Sequence, residues 1–374
     1  MKNFKLILNV LVVVTSFMFF QCTSDYTPIP GPAGADGAQG LDGADGVDGA
    51  DGGNTCLKCH NSDYKVIQNS TYLSSGHDIA AALAGRSGAC LNCHSNEGYI
   101  ASVALRDLTT SYVTGTATKI TCSTCHSGGH TSAGVAVSGT DAALRAAGSY
   151  QLVGVGTSAP VIDYGNNSNN CIHCHQVRRA GAGYVANSDS TSPNFGKVAI
   201  SGSYGPHYGG AVTLLEGIDA NLIAGSTAYP TAGSNPHRTG ASCVSCHMGS
   251  ESGGLGNHSF KPVLENCKKC HTGAGVVSYD INGGQTVVKN LMKDLAKEIV
   301  RLYPANFSLT TGSADPKDDG MLVMPSSSVQ IPERVAKAVY NYRFLYQDHS
   351  YGLHNPTYAK ALMNNSIADL KLIP

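Results

Sequence analysis

The fold is decided by a stretch early in the chain, CLKCHNSDYKVIQNSTYLSSGHDIAAALAGRSGACLNCH, residues 56–94. The same five-residue pattern, C-x-x-C-H, opens and closes it. Outward from there the pattern recurs, giving Cys56, Cys59 and His60; Cys90, Cys93 and His94; Cys122, Cys125 and His126; Cys171, Cys174 and His175; Cys243, Cys246 and His247; and Cys267, Cys270 and His271. On a helical turn, residues i, i+3 and i+4 share a face. Two sulfurs at that spacing can meet the two vinyl groups of one haem edge while the next histidine points under the iron. The pattern therefore reads as c-type haem attachment. A single C-x-x-C could instead hold zinc or act as a thioredoxin-like dithiol. Six copies, each followed by histidine, point to six covalently bound haem c groups. They use twelve of the thirteen cysteines.

The composition fits that reading. Of 374 residues only 14% are charged and 7% aromatic, with 44 glycines and no tryptophan. Such a chain has few large side chains with which to fill an interior, and porphyrins would supply the missing apolar surface. Consecutive motifs start 24 to 72 residues apart, which forces the haems close together. A formal net charge of −1 excludes a basic nucleic-acid binder. No stretch after residue 21 offers the roughly 20 apolar residues of a membrane-spanning helix.

The thirteenth cysteine stands at the end of an export signal. Lys2 and Lys5 precede an apolar run from Leu6 to Phe20, and Gln21-Cys22 follows. The arrangement resembles a bacterial lipoprotein signal, with residues 1–21 removed and Cys22 acylated; plain secretion is the alternative. From Gly31 to Gly52 glycine recurs every third residue, with Asp36, Asp42, Asp45, Asp48 and Asp51 between. This is collagen periodicity. Its acidic side chains would repel one another in a triple helix, which favours a flexible tether over a trimer. As a Gly-rich coil the segment 22–55 would average about 30 Å end to end. The expected organisation is a leader (1–21), an anchor and tether (22–55) and one hexahaem domain (56–374), with the motifs in 56–271 and a helical closing segment in 272–374.

Six motif histidines leave eight others for the sixth iron positions. Sequence context selects His77, His130, His207, His237, His258 and His354 as distal candidates. His77 begins the helix-like HDIAAAL. His130 closely follows His126, and His207 lies in the glycine-flanked YGPHYGG. His237 and His258 lie shortly before the fifth and sixth motifs, and Asn355-Pro356 after His354 resembles a helix start. His173, inside a motif, and His349, between Asp348 and Ser350, are poorer candidates. Two histidines on every iron would make a carrier, whereas one open iron would make a reductase of a small nitrogen or sulfur oxyanion.

Beyond the motifs, Val288, Leu291, Leu295, Ile299 and Leu302 form one helical stripe over 285–303, ended by Pro304. Further helices are expected from Pro332 to Tyr346 and from Pro356 to about Leu370. Tyr340, Phe344 and Tyr346 should pack on haem or a neighbouring helix. The expected fold class is mostly α and irregular, with short helices at the motifs, long loops and few strands.

Three segments carry a resemblance to the multihaem c-type cytochromes of the periplasm and cell surface. CLKCH…SSGHDIAAALAGRSGACLNCH is similar to the paired-motif unit of the tetrahaem cytochromes of nitrifying bacteria and their relatives. CVSCHM…NHSFKP…CKKCH is similar to another unit of these families, and AVYNYRFLYQDHSYGLHNPTYAKALMNNSIADL resembles their closing helices. The resemblance implies distal ligation by His77, His258 and His354. No motif is C-x-x-C-K, the variant of ammonia-forming nitrite reductases, so the chain departs from the enzymes of the group. The expectation is an electron carrier of respiratory or extracellular electron transfer, lipid-anchored outside the cytoplasm, at the outer membrane. The haem propionates make the holoprotein acidic, so its redox partners should present basic docking surfaces. A filament subunit is a third reading.

Overall fold

Serine and threonine start the haem-attachment turns. In the computed structural model, Thr121 and Thr124 form a reciprocal capping box around the turn Cys122–Cys125. Ser242 and Ser245 do the same for Cys243–His247, with Ser242 N–H donating to Ser245 Oγ at 2.7 Å. In these two motifs the hydroxyl-bearing residue just before the first cysteine satisfies orphan backbone donors and fixes where the turn begins. The structure describes residues 72–78, 83, 85–127, 144–153, 160–249, 257–273, 276–315 and 318–374, all within one compact unit, residues 53–374. The leader, Cys22, the glycine tether, the first motif (Cys56, Cys59, His60), His130 and most of the HDIAAAL stretch lie outside the described residues.

The helices before residue 280 are short: α1 (Leu91–His94), α2 (Asn96–Leu105), α3 (Cys122–Cys125), α4 (Asn169–Ile172), α5 (Ala211–Glu216), α6 (Pro236–Thr239), α7 (Cys243–His247) and α8 (Leu264–Lys268). Of these, α1, α3, α4, α7 and α8 carry the five described motifs. The strands are β1 (Tyr150–Gln151), β2 (Val161–Ile162), β3 (Lys197–Ile200), β4 (Ser308–Leu309), β5 (Leu322–Val323) and β6 (Val329–Pro332). They form three antiparallel two-stranded pairs, β1 with β2, β3 with β6 and β4 with β5. The fold class is as expected from the sequence.

Three long helices close the chain: α9 (Gly284–Leu302), α10 (Glu333–Asp348) and α11 (Pro356–Lys371). The last begins as its sequence demands, with Pro356 at its first position and the Asn355 side chain accepting from Tyr358 N–H at 3.1 Å. The buried face of α9 is Val288, Met292, Leu295, Ala296 and Ile299. Leu291 and Leu302, placed on that stripe from sequence, are only partly buried. Small Ala296 and flexible Met292 fit the contact with the other two helices better than a second row of leucines. Gly352, at φ 83°, turns the chain from α10 into α11. A Cβ there would lie 2.9 Å from Ala359 and 3.0 Å from Val288, so the turn presses against α9 as only glycine allows.

Apolar burial is uneven. The main core joins α9, α10 and α11 to Val198 and Ile200 of β3, Ile331 of β6, Tyr204 and Leu214. Each such side chain contributes roughly 1.5–3 kcal/mol by leaving water. Tyr340 and Phe344 belong to this core, stacked 6.2 Å apart. Among the described residues from 217 to 287, which hold the fifth and sixth motifs, no apolar side chain is buried. Its first part is held by partly buried Ala220, Ile223 and Tyr229, which pack on the main core, and by amides. Asn341 exchanges two hydrogen bonds with the backbone of Asn221, at 2.9 and 2.8 Å, and Asn365 does so with Thr227, at 3.1 and 2.9 Å. A loop without an apolar core is thereby tied to the closing helices.

Candidate haem centres

Histidines from distant segments converge on the motif histidines. Ring centroids lie 6.1 Å apart for His94 and His207, 6.2 Å for His126 and His258, and 6.1 Å for His175 and His77. They lie 6.2 Å apart for His247 and His354, and 6.2 Å for His271 and His237. A metal–imidazole bond is about 2.0–2.1 Å long. With about 1.1 Å from nitrogen to ring centre, two imidazoles on opposite sides of one metal have centres about 6.3 Å apart. Each pair therefore fits a single iron between its rings.

The second ring nitrogens carry the same message. Nδ1–H of His207 donates to the carbonyl oxygen of Tyr208 at 2.9 Å, that of His237 to Leu353 at 2.7 Å and that of His247 to Phe260 at 2.8 Å. His354 Nδ1 bonds instead to the Asp348 carboxylate, at 2.8 Å. With Nδ1 engaged, Nε2 is the atom left to meet the partner ring, and the bond fixes the ring's orientation. Burial pushes the His175 and His94 imidazoles down to about 4, so both are neutral at physiological pH, the form that ligates metal. Burial also disfavours charge on His354, but the Asp348 carboxylate outweighs it and raises the ring above its ordinary value.

None of the described cysteines is in a disulfide, so all are free to form thioethers. Cys93 Sγ lies 4.0 Å from the His173 carbonyl and Cys174 Sγ 4.0 Å from the Cys93 carbonyl, and Val244 N–H donates to Ser168 Oγ at 3.1 Å, beside Cys243 and Cys171. Cys125 lies within electrostatic reach of Cys171 and Cys174, and Cys246 within reach of Cys267 and Cys270. The fourth motif thus sits beside the second, third and fifth, and the fifth beside the sixth.

Elements far from the motifs hold the partner histidines. His237 rides on α6, whose N-cap Asn235 also donates through Nδ2 to the carbonyl of His354. Arg238, the next residue, pairs with the buried carboxylate of Glu216 at 3.1 Å and locks the turn to α5. His207 has a left-handed backbone, φ 77°, in its glycine-flanked loop. His258 precedes Phe260, whose ring packs edge-on against both His258 and His77, at 5.7 and 4.5 Å.

Neither poorer candidate is paired with a described motif histidine. His173 is fully buried, its Nε2 2.8 Å from Ser102 Oγ and its Nδ1 bonded to the Tyr150 hydroxyl. Both nitrogens are used by the protein. His349 is exposed and stacks on Tyr208, 5.3 Å between centroids. Sequence reading missed Asp348, Phe260, Ser102 and Tyr150, because aspartate before a loop or phenylalanine before lysine carries no local signature of contact with a distant ring.

Residues 231–371 match the cytochrome c552 family model, a span that holds the fifth and sixth motifs, His237, His258 and His354. Over that span the chain resembles a multihaem c-type cytochrome. The match implies covalently bound haem c over that span. The outer cell wall cytochrome OcwA aligns in structure with 81% of this chain at 21% identity and a TM-score of 0.48, and this chain spans half of that protein's length. No curated protein matches the sequence.

Proposed function

We propose that this cytochrome carries six haems and works as an electron carrier whose irons are all closed by two histidines. The single observation that carries the reading is the recurrence of one geometry, a motif histidine and a distant histidine with ring centres 6.1–6.2 Å apart, at all five described motifs. On this reading His77, His207, His237, His258 and His354 are distal ligands to the fourth, second, sixth, third and fifth motifs. His130, the one candidate left, serves His60.

Each bound haem supplies reversible one-electron chemistry at its iron. The polypeptide holds the axial rings so that ligation is the same before and after an electron passes. Nδ1 bonds keep the imidazoles of His207, His237, His247 and His354 in register, and two facing rings at each described site would leave no position for a substrate. The closeness of the second motif to the fourth and of the fourth to the fifth would bring the haems held there close together, which suits relay along the molecule. The export signal and Cys22 support a place outside the cytoplasm, lipid-anchored at the outer membrane, in respiratory or extracellular electron transfer. The acidic holoprotein suits partners with basic docking surfaces.

Haem content by intact mass together with the electron paramagnetic resonance spectrum of the ferric protein tests the reading. Six haem additions and only low-spin signals are expected. Fewer additions, or one high-spin centre in the wild type, would favour a reductase with an open iron.

A further inference from the structure

Of the four ring hydrogen bonds given above, three end on neutral backbone carbonyls and one on a carboxylate. That carboxylate belongs to Asp348, at the end of α10. Its side chain is 1% exposed, and Oδ1 lies 2.8 Å from His354 Nδ1. Oδ2 accepts from Ser350 N–H at 3.2 Å and from the Ser350 hydroxyl. Among the described residues no lysine or arginine is bonded to it, and its partners there are a serine and the imidazole.

A charge-assisted hydrogen bond is roughly twice as strong as a neutral one. A carboxylate drawing on the Nδ1 proton leaves more electron density on Nε2, and a richer donor stabilises the ferric over the ferrous iron. The low dielectric of a buried site strengthens that effect. The opposite ring of the same pair, His247, leans on the Phe260 carbonyl and contributes no charge.

We infer that Asp348 is a positioning and tuning residue that makes the haem held by His247 and His354 harder to reduce than the haems held through His207 and His237. The inference rests on the ligand assignment proposed above. Reduction at that site adds one electron to the iron, with no bond made or broken. Because the fifth motif touches the fourth, Val244 N–H donating to Ser168 Oγ at 3.1 Å, and the sixth, Asn266 Nδ2 donating to the Cys246 carbonyl at 3.4 Å, the tuned site stands inside the relay. Asp348 thereby sets an uphill step between the sixth-motif end and the remainder of the molecule.

The test is spectropotentiometric titration of the haem-loaded full chain. In Asp348→Asn, which keeps an acceptor for Nδ1–H but removes the charge, one midpoint should move positive. The expected shift is at least about 59 mV, a tenfold change in a one-electron equilibrium constant, with the other midpoints unmoved. Asp348→Glu should restore the wild-type value. Ser350→Ala, which frees the carboxylate to act more fully on His354, should move the same midpoint negative; it keeps the question open to disproof if the asparagine variant fails to fold. Asp294→Asn, an exposed charge on α9, is the control and should change nothing. Unchanged midpoints in Asp348→Asn, or an equal shift of every centre, overturn the inference. A wild-type protein without low-spin haem overturns the ligand assignment itself, which separates the two failures.

Discussion

The ring of Phe260 meets the ring of His77 edge-on at 4.5 Å, while its own carbonyl oxygen holds Nδ1 of His247 at 2.8 Å. One residue therefore touches ligands assigned to the fourth and fifth motifs, and its ring also reaches His258, opposite the third. It does so from a left-handed backbone, φ 54°, which costs a residue with a Cβ roughly 1–2 kcal/mol. Phe260→Gly separates the parts. It relieves the backbone and keeps the carbonyl, but removes the ring from His77 and His258. The expected outcome is full haem content with a new high-spin fraction at those two sites in the paramagnetic resonance spectrum. An unchanged spectrum would mean the ring positions nothing.

His173 is a structural histidine. His173→Leu leaves the Ser102 and Tyr150 hydroxyls without their buried partner, a loss of about 2 kcal/mol. Chemical denaturation should show that loss, while haem content, low-spin spectrum and midpoints stay as in the wild type. Loss of one low-spin haem would make His173 a ligand.

Asp219 gives the fold a pH dependence that the irons do not. Its backbone is left-handed, φ 71°, Oδ2 is buried without a partner, and burial pushes its carboxyl up to about 7. Its unfolded value is near 4, so between about pH 4 and pH 7 the folded state binds the extra proton. Stability is greatest below that window and is lost as pH rises through it, by an amount on the order of 4 kcal/mol. Asp219→Asn should flatten the difference. Denaturation midpoints of wild type and variant should coincide at low pH, with the variant the more stable at pH 8. Parallel curves would contradict the burial argument.

Much of this was legible from the chain. The attachment turns, the start of α11 at Asn355-Pro356 and five partner histidines all carry local signals. Which motif each partner faces does not. His237 stands six residues before the fifth motif yet faces His271 of the sixth. His258 stands nine before the sixth yet faces His126 of the third, and His77, between the first two motifs, faces His175 of the fourth. The reason is geometric. A motif's own histidine fills one side of the ring plane, and residues close to it in sequence stay on that side. The opposite side must be filled by a segment arriving from elsewhere, so tertiary packing alone decides the pairing. Asp348 was hidden for the same reason, since its link to His354 depends on the turn that Gly352 closes.

The carbon monoxide difference spectrum of the reduced, haem-loaded protein tests the central claim most directly, because the ligand enters only an iron with a free or weakly held position. With every iron closed by two histidines, native protein should bind none. His237→Ala should then bind one equivalent, at the haem of Cys267 and Cys270. An appreciable CO-bound fraction in the unmodified protein would contradict the account and identify an open, substrate-binding iron.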